Sequence, residues 1–344
     1  MPVIALDAMG GDHAPGVTTA GALRAAAAGV EVVLVGDETE VATALDRALA
    51  AAGSCEAELR AVRPQLRVIH APDRVGMGEH AAREMRSRRE SSIYVGTELV
   101  KRGEADAFVS AGNTGAVLAT ALVVLGRIRG VERPALGAVL PAMSGPRLLV
   151  DAGANAESRA SHLVQFAQLG DAYARAALGV ARPRVALLSI GEEAGKGSPN
   201  IVEAHATLAG SRLHFVGNVE GRDLTATNAA DVIVADGFSG NVALKSIEGV
   251  IAMLWEELAA VARSSWRNRL GGWLLMPGLR TTRERLDYRR YGGAPLLGVN
   301  GLVYVGHGRS DARAIESALL SAAEGVRVGV LDALAGSVEA ARAP

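Results

Sequence analysis

Residues 2–15 read PVIALDAMGGDHAP. The run PVIAL (2–6) is short and apolar, as a buried strand requires. Gly10-Gly11 then permit positive φ, and Pro15 suits the opening of a helix. The stretch therefore predicts strand, tight turn, helix. Three chemically able side chains, Asp7, Asp12 and His13, stand around the glycine pivot. A turn of this kind is common in isolation and acquires meaning only when others resemble it.

Others do. Apolar runs recur at 31–35, 66–70, 106–110, 147–150, 184–190, 213–217, 231–235 and 302–306. Ala-rich stretches with helical periodicity separate most of them, at 16–28, 38–51, 114–125, 158–178 and 310–324. Strands of buried type alternating with helices predict an α/β fold, an α/β/α sandwich around a largely parallel sheet. No repeat, linker or composition break divides residues 1–344, which predicts a single continuous domain, either one sheet or two lobes. Ligands of such folds bind beyond the carboxyl ends of the strands. There the chain places DAMGGDHAP (7–15), AGNTGA (111–116), DAGAN (151–155), GEEAGKGSPN (191–200), NVEGRD (218–223), DGFSGN (236–241) and HGRSD (307–311). Together these turns predict a cleft lined by backbone N–H groups.

The composition narrows the function. With 344 residues a sizeable core is possible, and a net charge of −1 gives no electrostatic footprint for nucleic acid. The sole cysteine, Cys55, rules out an internal disulfide framework and is expected to pack as a small apolar residue. No signal peptide or membrane-spanning run is expected, so the reading is cytoplasmic. Among 36 Lys and Arg only Lys101, Lys196 and Lys245 are lysine. Where arginine serves every generic purpose, a surviving lysine marks a place for a compact ammonium. Lys101 ends a helix, where any cation suits the dipole. Lys196 and Lys245 accompany Gly-rich turns that present N–H donors to an anion. GEEAGKG lacks the spacing and the Ser or Thr of a P-loop, and no strand leads into G-x-G-x-x-G. A phosphate-sized anion is the expected guest. Asp7, Asp12 and His13 have the chemistry of metal ligands, but that mixture is unspecific, and neither metal nor cofactor is expected.

LDAMGGDHAP, SAGNTGA, ERPALGAVLP, DAGAN, NVEGRD, DGFSGNVALKSIEG and YGGAPLLGV, in this order, closely resemble the bacterial phosphate acyltransferases of phospholipid synthesis, from residue 3 to about 320. The resemblance implies reversible acyl transfer from acyl carrier protein to inorganic phosphate. It implies an acyl-phosphate product passed to a membrane glycerol-3-phosphate acyltransferase, and a homodimer with a fold related to phosphotransacetylases and isopropylmalate dehydrogenases. On this reading Lys196, Asp12 and His13 are the catalytic candidates. Asn113, Thr114, Asn155, Asn218, Asp236, Ser239, Asn241, Lys245 and His307 are the substrate-binding ones. Each asparagine has an alternative as a turn or cap residue. Where the family often has a lysine, two residues before His307, this chain has Val305. A phosphotransacetylase-like use of acyl-CoA and a non-enzymatic membrane scaffold are the alternative functions.

All three tryptophans fall within residues 245–290. Ile247, Val250, Ile251, Leu254, Leu258 and Val261 keep helical spacing and predict a buried stripe or dimer seam. Trp266, Leu270, Trp273, Leu274, Leu275 and Met276 surround Gly271-Gly272, with arginines on both sides. They predict a projecting helical hairpin, broken at the glycines, whose apolar tip meets the inner face of the cell membrane.

Overall fold

The computed structural model describes residues 1–79, 85–142, 145–226, 230–287 and 291–342. Its opening stretch forms β1 (Val3–Asp7), the glycine turn and α1 (Gly16–Ala27). Then follow β2 (Glu31–Gly36), α2 (Glu38–Ala50), α3 (Glu56–Val62), β3 (Arg67–His70), α4 (Ser92–Lys101), β4 (Ala107–Ser110) and α5 (Thr114–Val124). The middle of the chain gives β5 (Ala135–Leu140), β6 (Arg147–Val150), α6 (Ala160–Ala177), β7 (Val185–Leu188), α7 (Pro199–Ala209), β8 (Phe215–Val219) and β9 (Val232–Val234). Two long helices, α8 (Gly237–Arg263) and α9 (Trp266–Leu286), precede β10 (Ala294–Leu297), β11 (Leu302–Val305), α10 (Ala312–Arg327) and α11 (Val330–Arg342).

The strands make one sheet in the order β3-β2-β1-β4-β11-β10-β5-β6-β9-β7-β8. Successive residues face opposite sides, as the strand period of two demands. Ile4, Leu6, Val32, Leu34, Leu148, Val150 and Val232 join helices α1, α6 and α10 in one core. Ala5, Val33, Phe108 and Val303 turn to α4 and α5 in a second. Leu149, Ala186 and Ile233 meet Leu244 and Ile247 of α8 in a third. This is the expected α/β/α sandwich.

Two features depart from expectation. The stretches 135–140 and 294–297, which are not among the apolar runs expected as strands, are strands. They also make the antiparallel strand pairings among the described residues: β11–β10, β10–β5 and β5–β6. Because three reversals intervene, β3-β2-β1-β4-β11 and β6-β9-β7-β8 run in opposite directions. The register shows what this does. Val305 pairs with Ala294, three residues before Leu297; Leu297 pairs with Ala135, three residues before Ala138; Ala138 pairs with Leu149. Val305 at the end of β11 is thus level with Leu149, one residue from the end of β6. The two parallel halves are staggered along the strand direction, and their carboxyl ends meet head to head at one level.

The helical hairpin is present, but not as predicted. Its turn falls at Ser264 and Ser265, where the Ser265 hydroxyl accepts the Asn268 N–H at 3.1 Å and caps α9. Gly271 and Gly272 lie inside a continuous helix. A Cβ on Gly272 would come within 3.2 Å of the Ala262 methyl, so glycine here allows α9 to approach α8. Trp273 to Met276 therefore lie in the middle of α9 instead of at the turn, one full turn of exposed apolar side chains. Val250, Leu254, Leu258 and Val261 are exposed in the single chain, not buried. Residues 288–290 lie outside the described residues. Cys55 is exposed rather than packed, because it lies in the short turn between α2 and α3.

Candidate functional site

At the level where the half-sheets meet lies a cleft of about 370 Å³. Its walls combine Gly112 and Thr114 after β4, Ala152 and Gly153 after β6, Gly306 to Gly308 after β11, and residues 291–294 leading into β10. Leu136, Ala138 and Val139 of β5 form apolar floor, and α8 contributes Asn241, Lys245 and Glu248. Of the expected substrate-binding residues, the fold brings Thr114, Asn241, Lys245 and His307 to this one cavity.

The glycines of the opening turn have a steric reason. A Cβ on Gly10 would lie 2.3 Å from Asp7 Oδ2 and 2.8 Å from the Gly112 nitrogen, so only glycine lets the two loops touch. Asp7 points inward. Its Oδ2 accepts from Ser110 Oγ at 2.7 Å and its Oδ1 from the Met9 N–H at 3.1 Å, and Ser110 Oγ accepts from the Gly112 N–H at 3.0 Å. Burial pushes its carboxyl above the usual aspartate range, although the bonds from Ser92, Ser110 and the backbone oppose the rise. Asp12 and His13 stand outside on the same loop, which is held to the β11–α10 turn by Asp12 N–H donating to Gly308 O at 2.8 Å. Asp7, Asp12 and His13 do not converge, and no group of three or more His, Cys, Asp or Glu forms a ligand set among the described residues.

A second buried carboxylate, Asp151, organises the other wall. It accepts N–H bonds from Leu136 (2.9 Å), Gly153 (3.0 Å), Ala154 (2.8 Å) and Asn155 (2.8 Å), and from Asn155 Nδ2 at 2.8 Å. Helix α8 seats directly on this loop: a Cβ on Gly237 would lie 2.1 Å from Asn155 O, and one on Gly240 1.9 Å from Asp151 O. That contact explains the glycines of DGFSGN. Asp236 is the N-cap, accepting the Ser239 N–H at 2.9 Å.

Several expected ligands are thereby committed to the scaffold. Asn113 caps α5 through the Ala116 N–H and donates to the carbonyls of Met77 (3.2 Å) and Glu79 (2.9 Å). Asn155 donates to Pro134 O and Asp151, and Asn218 is buried between His205 and Glu193 O. Asp236 and Ser239 belong to a helix cap. The turn residues are polar here because orphan backbone groups need partners.

Three side chains in the cleft form a charged cluster. Lys245 Nζ lies 2.8 Å from Glu248 Oε2 and 2.7 Å from His307 Nε2, and His307 Nε2 is 3.6 Å from the same carboxylate. Burial pushes the Glu248 carboxyl up, but the bonds from His307 and Lys245 outweigh it and hold the carboxyl below its usual range. Glu248 was not expected; its position three residues after Lys245 on a helix was the available signal. Val305 is buried beside the cavity, so no cation stands at that position.

Lys196 does not line the cleft. It lies after β7, two strands beyond β6 in the sheet, which is roughly 10 Å sideways. Its level is nevertheless that of the cleft, because Leu187 pairs with Val234 and Val234 with Val150. The turn carrying it is braced: Lys196 N–H donates to Glu193 O (3.0 Å), Ser189 Oγ to Lys196 O (2.9 Å), and Asn218 Nδ2 to Glu193 O (2.9 Å). The ammonium itself is exposed and has no ion pair among the described residues.

A family profile described as "Fatty acid synthesis protein" matches residues 3–333. A "Phosphate acyltransferase" of Thermus thermophilus is 50% identical over 329 residues, covering 95% of this chain and 96% of that one. One of the same name from an Anaeromyxobacter species is 47% identical over 335 residues, covering 97% and 90%. The chain belongs to the phosphate acyltransferase family. Among solved structures, a phosphotransacetylase from Streptococcus pyogenes superposes with a TM-score of 0.58 at 20% identity, covering 98% of this chain and 94% of that one. At that identity the likeness is one of fold. In this phosphate acyltransferase family member the sheet places a cleft at the junction of its halves.

Proposed function

We propose that the chain transfers an acyl group from an acyl-carrier-protein thioester to inorganic phosphate, by direct attack of a phosphate oxygen on the thioester carbonyl. The observation that carries this reading is the convergence of both sets of strand ends on one cleft with Lys245, His307 and Asn241 in its wall. Family membership supports acyl transfer to phosphate. Phosphate is largely dianionic near neutral pH, with a second pKa of about 6 in its esters. It needs positioning and partial neutralisation more than a strong base. The exposed, unpaired ammonium of Lys196, on a rigid turn level with the cleft, supplies neutralisation in the transition state. Backbone N–H groups receive the developing oxyanion, together with the second Nδ2 hydrogen of Asn241, whose first goes to Ala152 O at 3.2 Å. The phosphate oxygen forms the new C–O bond as the C–S bond breaks, and the thiolate leaves with a proton from the Lys245–His307 pair. Lys245 Nζ and His307 Nε2, 2.7 Å apart, are close enough to pass that proton between them. Asp12 and His13 stand at the outer lip of the site and orient incoming phosphate.

Formation of acyl phosphate from acyl carrier protein thioester and phosphate, with acyl-CoA assayed beside it, tests the reading. Turnover with the carrier thioester supports it. Turnover with acyl-CoA alone favours the phosphotransacetylase-like alternative.

The surroundings of the site extend the proposal. The exposed stripe of α8, with Val250, Leu254 and Leu258, suits a homodimer seam. The exposed apolar side chains of α9, Trp266, Leu270, Trp273, Leu274, Leu275 and Met276, suit the surface of a membrane that holds the glycerol-3-phosphate acyltransferase. Arg267 stacks 5.5 Å from the centre of the Trp266 ring, adding a cation at that surface. No helix among the described residues is long and apolar enough to cross a membrane. A cytoplasmic enzyme peripheral to the inner membrane face is the location this supports.

A further inference from the structure

The brace beneath Lys196 reaches one residue further than the cleft. Asn218 Nδ2 donates to Glu193 O, a group that can only accept, so the orientation of the Asn218 amide is fixed. Its Oδ1 therefore faces His205 Nδ1, 2.9 Å away. Oδ1 accepts only, so His205 must carry a proton on Nδ1. The ring is set for this by edge-on packing against Phe215, with centroids 5.0 Å apart and planes at 79°. His205 comes from α7 and Asn218 from β8, so the two elements beside the turn are joined through this bond. Glu193 O is the shared point: it also accepts the Lys196 N–H at 3.0 Å.

We infer that His205 is a positioning residue, which through Asn218 and the Glu193 carbonyl fixes the turn that presents Lys196 to phosphate. This rests on the catalytic role proposed for Lys196. His205 touches no reacting atom. Without the His205 Nδ1 proton the Asn218 amide is held at one end only, and its bond to the Glu193 carbonyl loosens. The turn then samples other geometries, and the ammonium spends less time on target.

Two variants and two readouts test this. In His205→Asn the side-chain amide replaces the Nδ1 donor; in His205→Ala nothing does. Hydrogen exchange of the full-length protein reads the turn directly. In His205→Ala the amides of 193–197 should exchange faster while those of β1 and β4 stay native, and His205→Asn should restore protection. In the acyl-phosphate assay kcat of His205→Ala should fall on the order of tenfold to a hundredfold, the range of an ~1 Å misplacement. KM for the acyl donor should hold, and His205→Asn should recover most of the rate. Unchanged exchange at 193–197 in a folded His205→Ala overturns the inference whatever Lys196 does. Faster exchange with native kcat overturns the link to catalysis. If Lys196→Ala is itself fully active, the proposed role of Lys196 fails, and the exchange result still decides the positioning claim. If His205→Ala does not fold, His205→Asn against His205→Gln separates the roles: Gln reproduces Nε2 rather than Nδ1 and should leave the turn loose. Equal protection in both overturns the inference.

Discussion

At the scale of single residues, two lysines share one rarity and have opposite surroundings. Lys245 is neutralised by Glu248 and bonded to His307, whereas Lys196 is exposed and has no ion pair among the described residues. Lys196→Ala should therefore fold normally and lose acyl-phosphate formation by on the order of a hundredfold or more. Lys196→Arg should be impaired too, since a planar fork cannot replace a compact ammonium on a braced turn. Steady-state rates beside melting curves check both. Glu248 gives a pH prediction. Its folded pKa is depressed, so its pairing stabilises the protein above the unfolded value, about 4.3, and that contribution is lost as pH falls through the lower folded value. Between about pH 5 and 3, the melting temperature of Glu248→Gln should fall less steeply than that of the wild type. Parallel slopes would mean that the cluster contributes nothing to acid stability.

Elements explain what residues alone do not. Helix α8 begins on the Asp151 loop because Gly237 and Gly240 let its backbone touch that loop. In Gly240→Ala the added methyl would meet Asp151 O, so the protein should lose about 1–3 kcal/mol or more of stability, read by urea unfolding. The loss should be accompanied by reduced activity, because α8 carries Asn241 and Lys245. Helix α9 exposes both of its tryptophans, Trp266 and Trp273, beside Leu270, Leu274 and Leu275. Trp273→Glu with Leu274→Glu should abolish sedimentation with anionic vesicles while sparing turnover of soluble carrier thioester. Wild-type vesicle binding by that double variant would remove the middle of α9 from membrane contact.

For the whole molecule, β5 and β10 are decisive. They reverse the direction of half the sheet and offset it, so that loops far apart in sequence share a level. The apolar stripe of α8 remains exposed in one chain. Leu254→Glu with Leu258→Glu should convert a dimer to a monomer in sedimentation velocity; a wild-type profile would place the seam elsewhere.

Strand and helix alternation, the motif turns and the two notable lysines were legible in the sequence, because periodicity, glycine and residue rarity act locally. So was the hairpin, though not its bend: a Gly-Gly pair costs a helix only about 1 kcal/mol per residue, and packing against Ala262 decided that α9 runs through it. The sequence could not say which groups claim the asparagines. Asn113, Asn155 and Asn218 are held by carbonyls distant in the chain, and only folding brings those partners within bonding distance. Nor could it disclose the stagger. Sheet direction is set by long-range pairing of two short strands whose Gly and Pro weaken their local signal. The chain's own pattern determined the α/β/α layers, since burying alternate apolar faces leaves few other solutions. Tertiary structure alone decided that the two halves meet end to end, and with that where the cleft lies.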